Sequence, residues 1–526
     1  ANDESKIAFT RVDESPVQEA IRNEIYADEV KLFNQRYPFT GTNNVEIQLG
    51  VVKLNDQAVD WIDLGEDKDI YIARAKWLND SNTLSYQWQN RSQHNLELRF
   101  YNSKTKQQTV ALTEKSDTWI NLHFDLEFLK DKKHFVWASE RDGFKHLYLY
   151  RNNGQLIRQI TAGDWVVDSL KGVDEKNGMV YFAARKDTAL ESHLYSAPLF
   201  KKGAIKRITE KGQYHNVVLA KDNKTFIDNS SSVNKPNSAA LRKINGEFIT
   251  WLEENKLDDS HPLTPFLTDL AQPEYGTIIA EDGQVMHYRL FKPANMAKGK
   301  KHPVIVNVYG GPHAQRVTNS WRSKNLYFQY MAQQGYVIFQ LDNRGSYNRG
   351  KKFEDAIYKK LGVVEVADQI KGVEFLRTLD YVDPARIGIY GHSYGGYMAL
   401  MTMFKAGDYF SAGVSGAPVT DWALYDTHYT ERYLGHPDTN AQGYTDSAVF
   451  PYAEGLKGPL MIYHGMADDN VLFTHATKLF KQLQDNNQQF EMMTYPGSKH
   501  SLRGKQVQTH LHQTITNFFN RNFNTN

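Results

Sequence analysis

Ser393 stands on what the sequence predicts to be a sharp turn between a strand and a helix. It lies in the run 391–397, Gly-His-Ser-Tyr-Gly-Gly-Tyr. The short run 386–390 before it favours a buried parallel strand, and the run 398–404 after it favours a helix. The flanking glycines let strand and helix approach closely, so the motif predicts a nucleophile elbow that holds the hydroxyl above a sheet. A serine that only forms a turn is the alternative.

A serine nucleophile needs a histidine to take its proton and a carboxylate to orient that histidine. On a sheet of this kind the acid and then the histidine follow the serine, each on a loop after a strand. Asp468 and Asp469 follow the predicted strand 460–463, and spacing does not choose between them. His500 follows the predicted strand 490–494 and is the candidate base. The alternatives are a helix cap for the aspartates and a structural role for one of 18 histidines.

The negative charge that develops during acyl transfer needs two hydrogen-bond donors. The backbone N–H of Tyr394, directly after the serine, is the first candidate. The loop 309–312, Tyr-Gly-Gly-Pro, ends the predicted strand 304–308 and is the candidate source of the second donor. A tight turn without a chemical role is the alternative for this loop.

Strands alternate with helices in the second half of the chain. Predicted strands lie at 304–308, 337–341, 387–390, 412–415, 460–463 and 490–494. The segment 364–379 has apolar residues at helical spacing. This alternation predicts a doubly wound, mostly parallel sheet with its site at the carboxyl ends of the strands. We therefore expect an α/β-hydrolase catalytic domain at 263–526.

The first half of the chain contains short strands and an internal repeat. Residues 135–161 resemble residues 180–209 at an offset of about 47, with weaker copies at 84–100 and 225–251. A period of about 40–50 residues with several strands per unit predicts a β-propeller, here at 1–262, with an irregular β-sandwich as the alternative. Only about five such units fit before Leu252. Because a propeller must close on itself to hide its edges, we expect further blades upstream of Ala1.

Composition narrows the function classes. The 526 residues favour two or three domains, and the net charge of +1 gives no indication of nucleic-acid binding. The absence of cysteine excludes disulfides, thiolate metal sites and a cysteine nucleophile. The sequence contains no apolar run of 18 residues, so it predicts no membrane span. Serine chemistry requires no metal and no cofactor.

Six stretches resemble the prolyl oligopeptidase family of serine peptidases, and within it the bacterial form of the dipeptidyl peptidase IV branch. They are residues 308–312, 342–346, 391–397, 417–422, 425–433 and 464–471. The resemblance covers the second half of the chain and extends more weakly into the propeller. It implies a serine exopeptidase that releases N-terminal X-Pro or X-Ala dipeptides through an acyl-enzyme. It also implies that Asp468 is the acid and that the Tyr309 hydroxyl is the second oxyanion donor.

The resemblance also implies a substrate site. A small apolar pocket for proline or alanine would be lined by Val419, Trp422, Tyr425, Tyr429 and Val471. Asn470 would bond a substrate carbonyl, and Arg432 would brace the end that binds the amine. From the residues alone, the two tyrosines fit a core role equally well. Peptides with Pro or Ala at the second position, a homodimer and a periplasmic or secreted location are further implications.

Two departures from the family pattern matter. His392 precedes the serine where the family usually has tryptophan, on the side of the leaving group. The family holds the free amine with a pair of glutamates, and the sequence has no such pair in matching context; Glu253 and Glu254 are expected at the surface. Aligning residues 5–11 with the family places the pair upstream of Ala1. Rival interpretations are an acylaminoacyl peptidase or esterase, and an inactive fragment that lacks the amine clamp.

Overall fold

The first half of the chain forms antiparallel sheets. The computed structural model describes residues 1–55, 58–294, 296–322 and 324–523. The strands of this half are β1 (Lys6–Asp13), β2 (Glu19–Ile25), β3 (Val30–Arg36), β4 (Glu46–Lys53), β5 (Val59–Trp61), β6 (Ile70–Trp77), β7 (Thr83–Asn90), β8 (Asn95–Asn102), β9 (Gln108–Lys115), β10 (Leu126–Phe128), β11 (His134–Ser139), β12 (His146–Arg151), β13 (Leu156–Gln159), β14 (Val167–Asp174), β15 (Met179–Ala184), β16 (His193–Pro198), β17 (Lys206–Arg207), β18 (Tyr214–Leu219), β19 (Thr225–Ser232), β20 (Lys235–Lys243) and β21 (Phe248–Glu253).

These strands pair almost entirely with their neighbours in sequence. Four sheets have four strands each, in the orders β6-β7-β8-β9, β10-β11-β12-β13, β14-β15-β16-β17 and β18-β19-β20-β21. A three-stranded sheet, β1-β4-β5, precedes them, and β2 and β3 form a separate hairpin. The repeated sequence units therefore correspond to repeated antiparallel sheets.

The same histidine–threonine hydrogen bond occurs in two of the repeated sheets. His146 on β12 lies 3.0 Å from the Thr161 hydroxyl through Nδ1, and His193 on β16 lies 3.1 Å from the Thr209 hydroxyl in the same way. Both histidines are buried. Because a buried imidazole needs a partner for its polar atoms, the histidine and the threonine recur together in the repeat.

The second half of the chain is an eight-stranded sheet with helices. Its strands are β22 (Glu274–Ile279), β23 (Val285–Phe291), β24 (His302–Val308), β25 (Val337–Leu341), β26 (Val382–His392), β27 (Ala412–Gly416), β28 (Leu460–Gly465) and β29 (Glu491–Tyr495). Its helices are α1 (Lys324–Gln333), α2 (Lys351–Glu354), α3 (Val364–Arg377), α4 (Tyr394–Lys405), α5 (Thr427–Leu434), α6 (Ala441–Ser447), α7 (Thr474–Asp485) and α8 (Lys505–Phe523). Short 3-10 turns lie at Thr264–Asp269, Asp355–Ile357, Trp422–Leu424, Pro437–Thr439 and Phe450–Gly455.

The strand order is β22-β23-β25-β24-β26-β27-β28-β29. All pairs from β25 to β29 are parallel, whereas β22 and β23 are antiparallel at one edge. One core contains the buried faces of α3, α4 and α7, and the other contains those of α1 and α8. Helices therefore cover both faces, as the predicted doubly wound sheet requires.

The predicted elements of this half are present with small shifts. The helix expected from 398 begins at Tyr394, directly after the serine. The helix expected at 364–379 ends at Arg377. The antiparallel edge formed by β22 and β23 was not anticipated. No helix in the described part of the chain is long and apolar enough to cross a membrane.

The packing of α4 on the sheet leaves no room for side chains at two positions. A Cβ on Gly395 would clash with the carbonyl oxygen of Val308 on β24. A Cβ on Gly396 would clash with the carbonyl oxygen of Gly416 on β27. Both neighbours are backbone atoms of central strands, so they cannot move aside cheaply. These glycines hold the start of α4 directly above the strand ends.

We expect Gly395→Ala to lower the free energy of unfolding by roughly 1–3 kcal/mol, because the added methyl group forces α4 away from β24. Thermal unfolding measures the effect. Gly407→Ala is the matched control, since the atoms nearest to its Cβ belong to the flexible side chain of Lys457 and not to the backbone of a strand. Equal unfolding midpoints for Gly395→Ala and the parent chain would contradict the proposed close approach.

Candidate active site

The backbone at Ser393 has the geometry of an elbow. Ser393 joins β26 to α4 with φ 63° and ψ −123°, a conformation that L-residues rarely adopt. Its N–H donates to the carbonyl of Gly416 (2.8 Å). The side chain stands at the carboxyl end of a central strand, where neighbouring strand ends can supply partners.

Three predicted residues are joined by hydrogen bonds. His500, in the loop between β29 and α8, lies 2.9 Å from the Ser393 Oγ through Nε2 and 2.7 Å from the Asp468 Oδ2 through Nδ1. Asp468 follows β28 and is buried, whereas Ser393 and His500 are partly exposed. The order of contacts, hydroxyl to imidazole to carboxylate, is the one that activates a serine.

The structure distinguishes the two aspartates. Asp468 contacts His500, whereas Asp469 is exposed and pairs with Lys499 at 2.9 Å. The Asp468 Oδ1 accepts the backbone N–H groups of Asn470 and Val471 at 2.9 and 3.0 Å. Asp468 is therefore positioned as the partner of the histidine.

A second histidine, His464, lies against the same carboxylate. Its Nε2 lies 3.2 Å from the Asp468 Oδ2 and 2.9 Å from the Val471 carbonyl oxygen. Burial alone would raise the pKa of Asp468, but hydrogen bonds with His464 and His500 hold that pKa well below its ordinary value. Asp468 is therefore an anion that can stabilise an imidazolium.

Tyr394 directly follows Ser393, and the ring of Tyr309, the other predicted oxyanion donor, lies near the ring of Tyr394. Tyr394 is the first residue of α4, where a backbone N–H has no partner within the helix. Tyr309 follows β24, and its ring centroid is 6.0 Å from that of Tyr394. Burial raises the pKa of Tyr309, with Arg316 opposing the shift, so the phenol remains a protonated donor.

The Tyr394 side chain fixes the start of α4. Its hydroxyl donates to the Glu365 Oε1 at 2.6 Å, and Glu365 is fully buried on α3. The same oxygen accepts the Gly362 N–H at 3.0 Å. A Cβ on Gly311 would clash with the Tyr394 ring, so this glycine lets the loop after β24 lie close to the elbow. The two loops that carry the donors are therefore packed together.

The five predicted pocket residues form one aromatic and aliphatic cluster. The Trp422 and Tyr429 rings are nearly parallel at 6.0 Å, and the Tyr425 ring meets the Tyr429 ring edge-on at 5.3 Å. Val419 and Val471 are buried. Flat aromatic faces of this kind suit a small apolar ring.

The side-chain oxygen of Asn470 is bonded within this pocket. The Tyr425 hydroxyl donates to the Asn470 Oδ1 at 2.7 Å. Because the amide oxygen is occupied, the amide N–H groups of Asn470 are the ones available to a ligand carbonyl.

Arg432 is held by the first half of the chain. Its Nε donates to the Gln93 Oε1 at 2.8 Å, and the Gln93 Nε2 donates to the His428 carbonyl at 2.7 Å. Arg432 is nearly buried. It thus connects the pocket helix α5 to the turn between β7 and β8.

A second link between the halves was missed by sequence reasoning. Arg91 binds the Glu431 carboxylate with two bonds of 2.7 Å and binds Asp69 with a third of 2.7 Å. Glu431 is buried on α5 and also accepts the Gly41 N–H. The only sequence signal was the position of Glu431 inside the run 425–433. Paired geometry of this kind fixes orientation as well as distance.

The β2–β3 hairpin reaches the loops that carry Asp468 and His500. The Ile25 N–H donates to the Met466 carbonyl, and the Gly497 N–H donates to the Ile25 carbonyl. Lys499 bonds the buried Glu24 at 2.7 Å. The acid and histidine loops are therefore anchored from outside the sheet.

His392, the residue that departs from the family pattern, lies beside the histidine of the trio. Its ring is stacked on Tyr463 at 5.8 Å and lies 5.0 Å from the His500 ring. Its Nδ1 is 3.1 Å from the Tyr463 hydroxyl. Glu253 and Glu254 are exposed at the end of the first half, as expected. Among the described residues, no group of three or more histidine or acidic side chains is placed to hold a metal ion.

Both halves of the chain match models of known protein families. Residues 1–237 match the model of the dipeptidyl peptidase IV N-terminal region, and residues 321–526 match that of the prolyl oligopeptidase family. The crystal structure of Porphyromonas gingivalis dipeptidyl peptidase 4 superposes with a TM-score of 0.93 at 30% identity, covering 98% of this chain and 73% of that one. The chain belongs to the prolyl oligopeptidase family.

Other members of the family are similarly related. A Bacteroides ovatus structure, a candidate dipeptidyl aminopeptidase IV, gives a TM-score of 0.91 at 33% identity, with coverage of 98% and 75%. Mouse dipeptidyl peptidase 8 is 32% identical over an alignment of 592 residues, which covers 97% of this chain and 64% of the mouse protein. The chain thus spans just under two thirds of the length of this curated relative.

We expect His464→Leu to shift the pH dependence of Ser393 reactivity. Loss of one hydrogen bond leaves the Asp468 carboxylate more basic, so it stabilises a positive charge on the His500 ring more strongly. Because only neutral His500 accepts the serine proton, the acidic limb should move up by about half a pH unit. The rate of fluorophosphonate labelling measured against pH tests this.

Two variants control for general damage. His464→Gln keeps an N–H donor and should retain most of the parent profile. His475→Leu removes an equally buried histidine that bonds Thr420 and not Asp468. An unshifted profile in His464→Leu, or the same shift in His475→Leu, would refute the role given to His464.

Proposed function

We propose that this chain carries the active site of a serine exopeptidase that releases X-Pro or X-Ala dipeptides from the N-termini of peptides. The observation that carries the proposal is the hydrogen-bonded series Ser393, His500 and Asp468 placed next to an aromatic pocket. Membership of the prolyl oligopeptidase family supports a peptidase.

The mechanism follows from the contacts. His500 takes the proton of the Ser393 hydroxyl as Oγ attacks the substrate carbonyl carbon, and Asp468 stabilises the imidazolium. The Tyr394 N–H and the Tyr309 O–H stabilise the oxyanion. His500 then gives its proton to the leaving amine as the C–N bond breaks, which leaves an acyl ester on Ser393. Water, deprotonated by His500, hydrolyses that ester and releases the dipeptide.

The pocket accounts for the proposed preference at the penultimate residue. A proline ring packs against the partly exposed rings of Tyr425 and Tyr429, which Trp422 supports from behind, and it has no N–H that needs a partner. Val419 and Val471 limit the depth of the pocket, so that a small alanine side chain also fits while long side chains do not. The Asn470 amide donates to a carbonyl of the dipeptide.

We also propose a domain division, an oligomeric state and a location for this chain. We infer that the four-stranded sheets at 1–262 are blades of a β-propeller and that 263–526 is the α/β-hydrolase domain. The fold of the structural relatives supports this division. A homodimer and a periplasmic or secreted location are proposed from the family resemblance alone.

We expect the chain to hydrolyse Gly-Pro-p-nitroanilide, and we expect Ser393→Ala to abolish the activity, leaving at most residual turnover about 10³–10⁴-fold above water. Steady-state kinetics with the free and the N-acetylated substrate measure amine selectivity. Hydrolysis of the free substrate alone supports the exopeptidase. Faster cleavage of the acetylated substrate would favour an acylaminoacyl peptidase, and activity that survives Ser393→Ala would contradict the proposal.

A further inference from the structure

A basic cavity lies next to the oxyanion loop. It has a volume of about 130 Å³, and its lining includes Arg289, Arg316, Arg322, Tyr309 and His392. A second, more open cavity of about 390 Å³ shares Tyr309, Arg316 and Arg322 with it. Three arginines therefore line a space that also borders Tyr309, the proposed oxyanion donor.

The three arginines have neutral partners. Arg289 is buried and bonds Gln340 and the Thr318 carbonyl oxygen. The Arg322 Nη2 donates to the Gln315 carbonyl at 3.2 Å, and the Arg316 guanidinium lies over the Tyr309 ring at 4.5 Å. In the described residues, none of the ion pairs includes any of these three side chains.

One carboxylate, Asp342, acts on Arg289 and Arg322 through its charge, but its hydrogen bonds go to the backbone. Asp342 accepts the backbone N–H groups of Arg316 and Val317 at 2.8 and 2.9 Å through its two oxygens. Burial lowers the pKa of Arg322, and the charges of Arg316 and Arg289 lower it further. Mutual repulsion of this kind is relieved by a bound anion. The cavity thus has an excess of positive charge and hydrogen-bond donors.

The cavity is lined by His392, which the family resemblance assigns to the side of the leaving group. In the proposed reaction the dipeptide fills the pocket at Tyr425 and Tyr429, and His500 protonates the departing amine. His392 lies 5.0 Å from His500 and lines the basic cavity. A peptide that continues beyond the cleaved bond therefore passes His392 and Tyr309 toward the arginines.

We propose that this basic cavity is a subsite for a carboxylate carried by the leaving peptide, an inference that rests on the proposed function. The carboxylate belongs either to an acidic side chain or to the C-terminus of a short peptide. Arginine suits it because the guanidinium presents paired donors to the two oxygens. Peptides with a carboxylate in this position are the preferred substrates.

Two matched substrate pairs distinguish the sources. Gly-Pro-Glu-Ala-NH2 against Gly-Pro-Gln-Ala-NH2 tests a side-chain carboxylate, and Gly-Pro-Ala-Ala-OH against its amide tests a terminal one. We expect kcat/KM to be about tenfold higher for the charged member of at least one pair, and this ratio to shrink as salt is added. Arg322→Gln should bring the ratio close to one. Arg377→Gln, on the exposed part of α3, should leave it unchanged.

Calorimetric titration of the Ser393→Ala chain provides a readout without turnover. The leaving peptide Glu-Ala-NH2 should bind about tenfold more tightly than Gln-Ala-NH2, and Arg322→Gln should remove the difference. Equal affinities, together with equal kcat/KM values within both substrate pairs, would overturn the subsite. Failure of the parent chain to cleave any Gly-Pro substrate would instead overturn the proposed function, while the titration still decides the subsite.

Discussion

The close approach of α4 to the sheet is the constraint on which the site depends. Gly395 and Gly396 place the helix against the backbone of β24 and β27, and Ser393 takes a positive φ to make the turn. That turn aims the hydroxyl at His500 and exposes the first N–H of the helix. A larger residue at Gly395 would push α4 away from β24 and so separate the nucleophile from Tyr309, the proposed second oxyanion donor. The backbone packing at this position therefore determines where the catalytic groups lie.

The site is completed from outside the catalytic sheet. Arg91 and Gln93 hold α5, which carries the pocket tyrosine Tyr429, and Glu24 holds the loop next to His500. Charged groups that are nearly buried fix geometry well because an unpaired charge there is costly. The first half of the chain thus holds the pocket elements through specific ion pairs and hydrogen bonds.

The sequence predicted the local elements and the trio because their signals are local. The elbow motif, the strand runs and the order of Asp468 and His500 all depend on short segments. It could not choose Asp468 over Asp469 by spacing, since that choice depends on which carboxylate reaches the imidazole. The family resemblance made the choice, and the 2.7 Å contact with His500 agrees with it.

Contacts between distant segments could not be predicted. Arg91 and Glu431 are 340 residues apart, and nothing in either segment indicates the other. The same holds for Lys499 and Glu24, and for the arginines that gather around Tyr309. Such contacts depend on how the two halves of the chain pack, and no short-range pattern encodes that packing.

The most direct test of the account uses a dipeptide phosphonate ester with proline at its reactive end, which forms a covalent bond only with a nucleophile beside a fitting pocket. Mass mapping of the labelled chain identifies the modified residue, and a leucine analogue serves as the comparison. We expect rapid modification of Ser393 alone by the proline compound and slow modification by the leucine compound. Modification of another residue, or equal rates for both compounds, would contradict a serine nucleophile that serves a proline pocket.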